Sequence, residues 1–275
     1  MIFESFELDE PLGRYVQSIF YHKDYMPEHS MERVVPTGNV FLIFELDNIP
    51  RYIYDRNLKP IETFTKVWVS GIHQNYLTIS EHKHTEMLVV QFNTLGAFPF
   101  FKTSIDSFYE TVKPAEFFFG AQILALREAF FEVETPSEKL GLMYSWLLGQ
   151  MDESLAPPKA LVEIQAKFHE CPFSRHTEVI SEYPHTQKHL ISQFKKYAGL
   201  PPKTIHKIIR FNSLLQIIHQ RKEVTWADIV YETGYSDQSH FIKEFQEFSG
   251  FTPSKYIKRG YKESIPNFFP IEPEG

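Results

Sequence analysis

The apolar positions of this chain change their period partway along. Through roughly the first 93 residues they fall in short runs rich in β-branched and aromatic side chains. Val40-Phe41-Leu42-Ile43-Phe44-Glu45-Leu46 follows the turn-like Pro36-Thr37-Gly38-Asn39, Lys66-Val67-Trp68-Val69-Ser70 stops at Gly71, and Met87-Leu88-Val89-Val90-Gln91-Phe92 comes next. Runs of this length, separated by Gly, Pro and Asn, predict strands and together a small, mostly antiparallel barrel or sandwich. After Gly96 the spacing becomes helical. Ala115 to Glu132 places Phe118, Ile123, Leu124, Leu126 and Phe130 three or four apart, and Ser137 to Met151 does the same with Leu140, Met143, Tyr144, Leu147 and Leu148. Pro136 sits where a first helical residue loses nothing by lacking an N–H. Ala156-Pro157-Pro158 breaks the pattern and reads as a linker.

Beyond it the pattern is helical throughout, with segments beginning near Lys159, His176, Thr186, Pro201, Trp226, Asp237 and Pro253. Start signals mark several of them. Thr225-x-x-Asp228 resembles a capping box, Ser236 precedes a helix, and Thr252-Pro253 sets a cap before an N1 proline. The expected division is a β-rich domain over 1–155, an all-α domain over 159–262 and a tail over 263–275. The last stretch, Ile265 to Gly275, carries three prolines and is expected to be a strap or disordered.

Composition is that of a globular protein, with 43% hydrophobic and 23% charged residues, and 26 Phe give material for a sizeable core. No run approaches the roughly 18 to 20 apolar residues that span a bilayer. The N-terminus has no basic region of a signal peptide, so a cytoplasmic setting without membrane contact is expected. Cys171 has no partner for a disulfide and is expected to pack as a small apolar residue. The net charge of −7 argues against DNA until its distribution is considered. Residues 1–166 hold 13 Lys+Arg against 23 Asp+Glu, whereas 167–262 hold 15 against 9. An acidic module joined to a basic one fits a sensor fused to a nucleic-acid reader.

The basic part contains Ala227-Asp228-Ile229-Val230, then Thr233-Gly234-Tyr235-Ser236-Asp237-Gln238-Ser239-His240-Phe241-Ile242-Lys243-Glu244-Phe245, then Gly250-Phe251-Thr252-Pro253-Ser254-Lys255-Tyr256. A helix, a Gly-containing turn and a second helix is how one helix is presented to a major groove. A weaker copy lies about fifty residues upstream. Here the chain, over about 159–260, resembles the AraC-type family of transcriptional regulators. Ile229, Gly234, Tyr235, Asp237, Ser239, Phe241, Phe245, Gly250, Pro253 and Tyr256 occupy that family's second-motif positions. Thr186, Lys188, Leu190, Phe194, Lys195 and Gly199 match the first motif, which departs at Ser192, where Arg is common, and at Pro184, where the turn usually has Gly. The N-terminal part is similar to a poorly characterised barrel domain of some relatives, through Pro36-Thr37-Gly38 and Ser70-Gly71-Ile72. The resemblance implies a cupin-like β domain with two helices, α+β overall, followed by a homeodomain-like double helix-turn-helix.

Pro201 to Gln220 is expected to be one helix of about 30 Å, close to the ~34 Å of a DNA turn. Ile205, Ile208, Ile209, Leu215 and Ile218 would pack it against both motifs. Leu190 with Phe194, and Phe241 with Phe245, recur at i, i+4 and face the core. The groove-facing positions are then Gln187, Lys188, Ile191 and Ser192 in the first helix, and Gln238, Ser239, Ile242 and Lys243 in the second, with His240 near the backbone. Gln suits adenine, Lys guanine and Ile a thymine methyl. Lys195, Lys196, Lys203 and Lys207 suit phosphates.

In the β half, His82-x-His84-x-Glu86 would share one face of a strand, with His73 joining from a neighbour, as in a cupin-like metal site. A solvated hairpin end is the plainer reading, and no metal or other cofactor is expected. Tyr52, Tyr54, Trp68, Tyr76, Phe92, Phe98, Phe100 and Phe101 would line an apolar cavity or simply fill the core. Phe117, Phe118, Phe119, Phe130, Phe131 and Trp146 offer more apolar surface than one packing face needs, as a homodimer interface would. The reading is a sequence-specific DNA-binding regulator and not an enzyme, with double-stranded DNA as partner, a small-molecule effector, and RNA polymerase if it activates. The alternative is a metal- or ligand-binding barrel that its DNA domain merely tethers.

Overall fold

The computed structural model describes residues 1–221, 224–235, 237–259 and 267–271. Ser236, expected to precede a helix, lies outside the described residues, as do 260–266 and 272–275 of the C-terminal stretch, and the Ala227 side chain. The N-terminal part forms β1 (Ile2–Phe6), β2 (Val16–Tyr25), β3 (Met31–Val34), β4 (Phe41–Glu45), β5 (Arg51–Tyr54), β6 (Pro60–Phe64), β7 (Val67–Ser70), β8 (Leu77–Ser80), β9 (Thr85–Phe92) and, after the short helix α1 (Phe98–Phe101), β10 (Val112–Pro114). Helices α2 (Glu116–Phe119), α3 (Gln122–Ala129) and α4 (Pro136–Gln150) follow. The helical half comprises α5 (Lys159–Glu170), α6 (His176–Val179), α7 (Gln187–Ala198), α8 (Pro202–Gln220), α9 (Trp226–Glu232), α10 (Gln238–Ser249) and α11 (Pro253–Lys258), and the described chain ends in β11 (Phe268–Ile271).

The strands make two antiparallel sheets, ordered β1-β2-β9-β4-β7-β10 and β11-β3-β8-β5-β6. Alternation along the central strands sorts side chains to two faces. Leu42, Phe44, Val67, Val69, Leu88, Val90 and Phe92 belong to the larger core. There Phe44 meets Phe130, and Phe92 meets Phe100, with ring centroids 5.3 and 5.2 Å apart. Their neighbours Ile43, Trp68, Val89 and Val112 form a smaller cluster with Ile53 and Phe64 of the second sheet. Five of the eight aromatics suggested for a cavity, namely Trp68, Phe92, Phe98, Phe100 and Phe101, are therefore core residues.

Within the smaller interior, Trp68 Nε1 donates to Glu45 Oε1 at 2.9 Å, and Arg51 lies 2.7 Å from the other carboxylate oxygen. Burial pushes the Glu45 pKa up in spite of Arg51. Arg127 of α3 donates to the carbonyls of Glu45 and Asp47 at 2.7 and 3.0 Å, closing the end of β4.

Three expectations change in detail. The helical run expected over 115–132 is two helices, parted at Gly120, whose φ of +66° suits a residue without Cβ. Cys171 is exposed rather than packed, because it caps the C-terminus of α5 through its backbone. The tail is ordered where described: Phe268, Phe269, Pro270 and Ile271 pair with Val34, Arg33, Glu32 and Met31. A proline is tolerated there because β11 is an edge strand.

Pro136 stands where the sequence puts it. Thr135 accepts from Glu138 N and the Glu138 carboxylate reaches back to Thr135 N, a full capping box. The long helix α8 buries Ile205, Ile208, Ile209, Leu215 and Ile218 as expected. One continuous core joins the β domain to the helical half.

Candidate nucleic-acid interface

Two helices of twelve residues each, α7 and α10, are built alike. A side-chain acceptor caps each N-terminus: Thr186 Oγ1 takes His189 N–H at 3.2 Å, and Asp237 Oδ1 takes His240 N–H at 2.8 Å. An i, i+4 pair buries each against the domain, Leu190 with Phe194 and Phe241 with Phe245. Phe194 meets Phe168 of α5 at 5.7 Å; Phe245 meets Phe211 of α8 at 5.4 Å and Tyr256 of α11 at 5.4 Å. Each helix ends at a left-handed glycine, Gly199 with φ +78° and Gly250 with φ +71°.

This leaves the N-terminal turns in solvent. Gln187, Lys188, Ser192 and Lys195 are exposed and Ile191 is half-buried. In α10, Gln238, Ser239, His240 and Lys243 are exposed and Ile242 is half-buried. Lys196 is placed differently from Lys195. Its ammonium lies 4.6 Å from the Phe98 ring centroid and 5.1 Å from that of Tyr197, toward the β domain.

Lys207 is also engaged within the protein, 3.0 Å from Glu244 Oε2. The same carboxylate, 2% exposed, takes Arg210, accepts from the Tyr235 hydroxyl at 2.7 Å and has His240 Nε2 3.9 Å away. Burial opposes the Glu244 charge, but Arg210 and the Tyr235 hydroxyl hold its pKa below the usual carboxylate value. Burial and then Glu244 push the Tyr235 hydroxyl far upward. Sequence reasoning did not single out this cluster. Its trace in the sequence is an acid three residues past Phe241, on the helix face that the apolar spacing assigns to the core.

A second group it passed over is Tyr183, His185 and His189 at the start of α7. Tyr183 Oη lies 2.9 Å from His189 Nδ1, and the two imidazoles are 4.7 Å apart. The spacing of His185 and His189, one helical turn, is the signal that could have found it.

The His82, His84 and Glu86 alternation does not lie on a strand. β9 begins at Thr85, and His84 occupies left-handed backbone with φ +59°. His82 Nε2 is 2.9 Å from Ser80 Oγ, His84 Nδ1 is 3.6 Å from Asp24, and Glu86 accepts from the Tyr21 hydroxyl at 2.8 Å. His73 pairs with Ser70 at 3.1 Å. The four are therefore dispersed, and among the described residues no three His, Cys, Asp or Glu side chains are grouped to hold a metal ion. A polar recess of about 370 Å³ lies between Pro27–Ser30 and Glu81–Lys83. A smaller one of about 50 Å³ is bounded by Val34 to Asn39, Phe41, Ser70, Gly71, His73 and Leu77.

Residues 184–259 match the family described as a helix-turn-helix domain. The C-terminal domain is of the AraC type. It is a DNA-binding domain, and α7 and α10 both lie within the matched residues. Residues 6–114 match a domain of unknown function, DUF6597. No curated protein matches the chain by sequence. Solved structures of ToxT from Vibrio cholerae are similar in fold at low identity. One is 13% identical, covering 90% of this chain and 100% of that one at a TM-score of 0.47. Another is 11% identical, covering 94% and 98% at 0.44. A third, with an unsaturated fatty acid bound, is 12% identical and covers 87% and 93% at 0.44. Among the described residues no helix is long and apolar enough to cross a membrane.

Proposed function

We propose that this protein is a sequence-specific transcriptional regulator whose β domain senses a signal. The observation that carries the reading is the duplicated reading helix. Two copies of one capped, amphipathic helix present polar N-terminal turns to solvent and are joined by α8, whose 19 residues span about 28 Å. That length suits successive major grooves on one face of a duplex, about 34 Å apart. Gln187, Lys188, Ile191 and Ser192 would meet the edges of one set of bases, and Gln238, Ser239, Ile242 and Lys243 the other. Lys195 stands on the exposed surface for a phosphate; Lys196 would have to leave the Phe98 ring to reach one. His240 would stay near the backbone.

The signal would act by population shift: an effector favouring one arrangement of the reading helices changes operator affinity by its differential affinity for the two states. The recess beside His29, Glu81 and His82 is the larger opening for a small polar effector. Exposed Phe117 and Phe131, at 74% and 49%, supply apolar surface for a homodimer, which sedimentation at micromolar concentration would detect. Activation would require contact with RNA polymerase. The cytoplasm is the compartment this role requires.

Selection of bound duplexes from random DNA, followed by anisotropy titration at two salt concentrations, tests the reading. The expected result is an enriched sequence with two sub-sites about ten base pairs apart, bound on the order of 10³-fold tighter than scrambled DNA. Equal binding of all sequences would leave a mere tether.

A further inference from the structure

The two reading helices touch the β domain at the same motif position. Gly199 and Gly250 each lie five residues after the second member of the buried i, i+4 pair, Phe194 and Phe245, and each closes its helix in left-handed backbone. A Cβ at Gly199 would lie 2.4 Å from Ile72 Cγ2 and 3.0 Å from Ile105 Cγ2. A Cβ at Gly250 would lie 2.7 Å from the Tyr76 ring and 2.5 Å from the Arg33 guanidinium. Contacts below 3 Å would force neighbours to move, so both glycines are needed for approach as well as for backbone conformation.

Ile72 and Tyr76 belong to a single loop, 71–76, between β7 and β8. Its first half is tied down: Gly71 N donates to Thr111 O at 3.0 Å, and Glu110 N to Ile72 O at 2.9 Å. The Glu110 carboxylate accepts from Gln74 N, Asn75 N and Asn75 Nδ2, all within 3.1 Å. The Arg33 guanidinium lies 4.2 Å from the Tyr76 ring centroid and 4.3 Å from that of Phe251, in the second reading unit. The same guanidinium donates to Ser249 O. Gly71 and His73 of the loop border the smaller recess, together with Phe41 and Leu77.

The geometry points to loop 71–76 as the element through which the β domain positions both reading helices, so that its placement sets their mutual arrangement on DNA. Ile72 and Tyr76 are positioning residues here, acting through Gly199 and Gly250. The inference rests on the DNA-reading role proposed above for α7 and α10. A loop that shifts toward its recess moves one contact under each reader at once, and the two sub-sites respond together.

The test uses the full chain with Cys171→Ser and spin labels at Gln187→Cys and Gln238→Cys, the N-terminal turns of the two readers. In the parent protein the label-to-label distance should form one narrow distribution. Ile72→Ala with Tyr76→Ala should broaden or shift it. Met143→Ala, which opens a cavity in α4 away from the readers, should lower thermal stability without that change. On the selected duplex, without labels, five added base pairs between sub-sites should weaken the parent on the order of 10²-fold by removing the linked second contact. The same insertion should weaken the loop variant several-fold less. Loop variant and parent sharing one distance distribution and one spacing dependence would overturn the inference. If the parent enriches no sequence at all, the regulator reading falls, and the distance distributions alone still decide the role of the loop.

Discussion

Glu244 decides which cations around α10 are held inside the protein. Lys207 and Arg210 of α8 gather on this carboxylate, which solvent barely touches, whereas Lys243 of α10 is exposed. Glu244→Gln leaves two cations without their buried anion and should cost about 3 kcal/mol, by urea unfolding. Because the folded-state pKa of Glu244 is depressed, its stabilising contribution is present above the unfolded value of about 4.5 and is lost as pH falls through the folded value. The variant should lack that part of the acid loss. His22 also loses stability on acidification, but because its neutral form is the one that is buried. Its pKa is pushed down to about 4 by burial and then by Arg51, and Nε2 is buried without a hydrogen-bond partner. The unfolded chain takes up the proton first, so stability falls as pH drops from about 6.5 and levels off below about 4. Replacing it by Gln should remove about 3 kcal/mol of that decline, read as the pH dependence of the urea midpoint. On DNA, Lys188→Ala and Lys243→Ala should relax base preference. Lys195→Ala should weaken all sequences alike and lower the salt slope by about one. Identical behaviour of all three would refute this sorting of base from phosphate contacts.

At the scale of elements, what is locally coded was legible. The starts of α4, α7 and α11 follow from Thr135, Thr186 and Thr252, because a cap needs only its own next three residues. Thr186→Ala should cost about 1 kcal/mol and fray the first turn of α7, visible as faster amide exchange at His189. β11 was not legible, since three prolines argue against a strand and nothing local names β3 as its partner. Its backbone joins the second sheet while the fully buried Phe269 ring packs 5.0 Å from Tyr256 of the AraC-type domain. Phe269→Ser should lower stability by about 3 kcal/mol through cavity and lost burial. Amide exchange should quicken in both β3 and α11, and a change confined to one of them would contradict the double role. The metal-like alternation at His82 failed for a local reason. A period of two implies a shared face only if the segment is a strand, and left-handed His84 breaks it.

At the scale of the molecule, the two halves are one packed body. Asn212 Nδ2 donates to Pro36 O at 2.9 Å, Phe98 meets Tyr197 at 4.8 Å, and Gly38 approaches Ile208 of α8. The turn Pro36-Thr37-Gly38, which stood out in the sequence beside Ser70-Gly71-Ile72, thus meets the AraC-type domain rather than a solvent-filled hinge. A shared core should unfold in one cooperative transition. Calorimetry is expected to show a single peak whose van't Hoff and calorimetric enthalpies agree, whereas two separated peaks would mean that the halves are independent.

The sequence alone determined what depends on neighbours a few residues apart. It specified the starts of α4, α7 and α11, the buried i, i+4 pairs of α7 and α10, the length of α8 and the split between acidic and basic halves, whereas the capping box expected at Thr225 gives α9 no side-chain cap. Local spacing suffices there, because helix periodicity and capping are satisfied within one or two turns. Only the tertiary structure decided which polar groups are available. Lys196 and Lys195 are adjacent in sequence, yet one lies over a ring of the β domain and the other faces solvent. It also decided that Gly199 and Gly250 both rest on one loop more than 120 residues away. Such contacts are set by close packing between elements distant in the chain, and no local pattern records them.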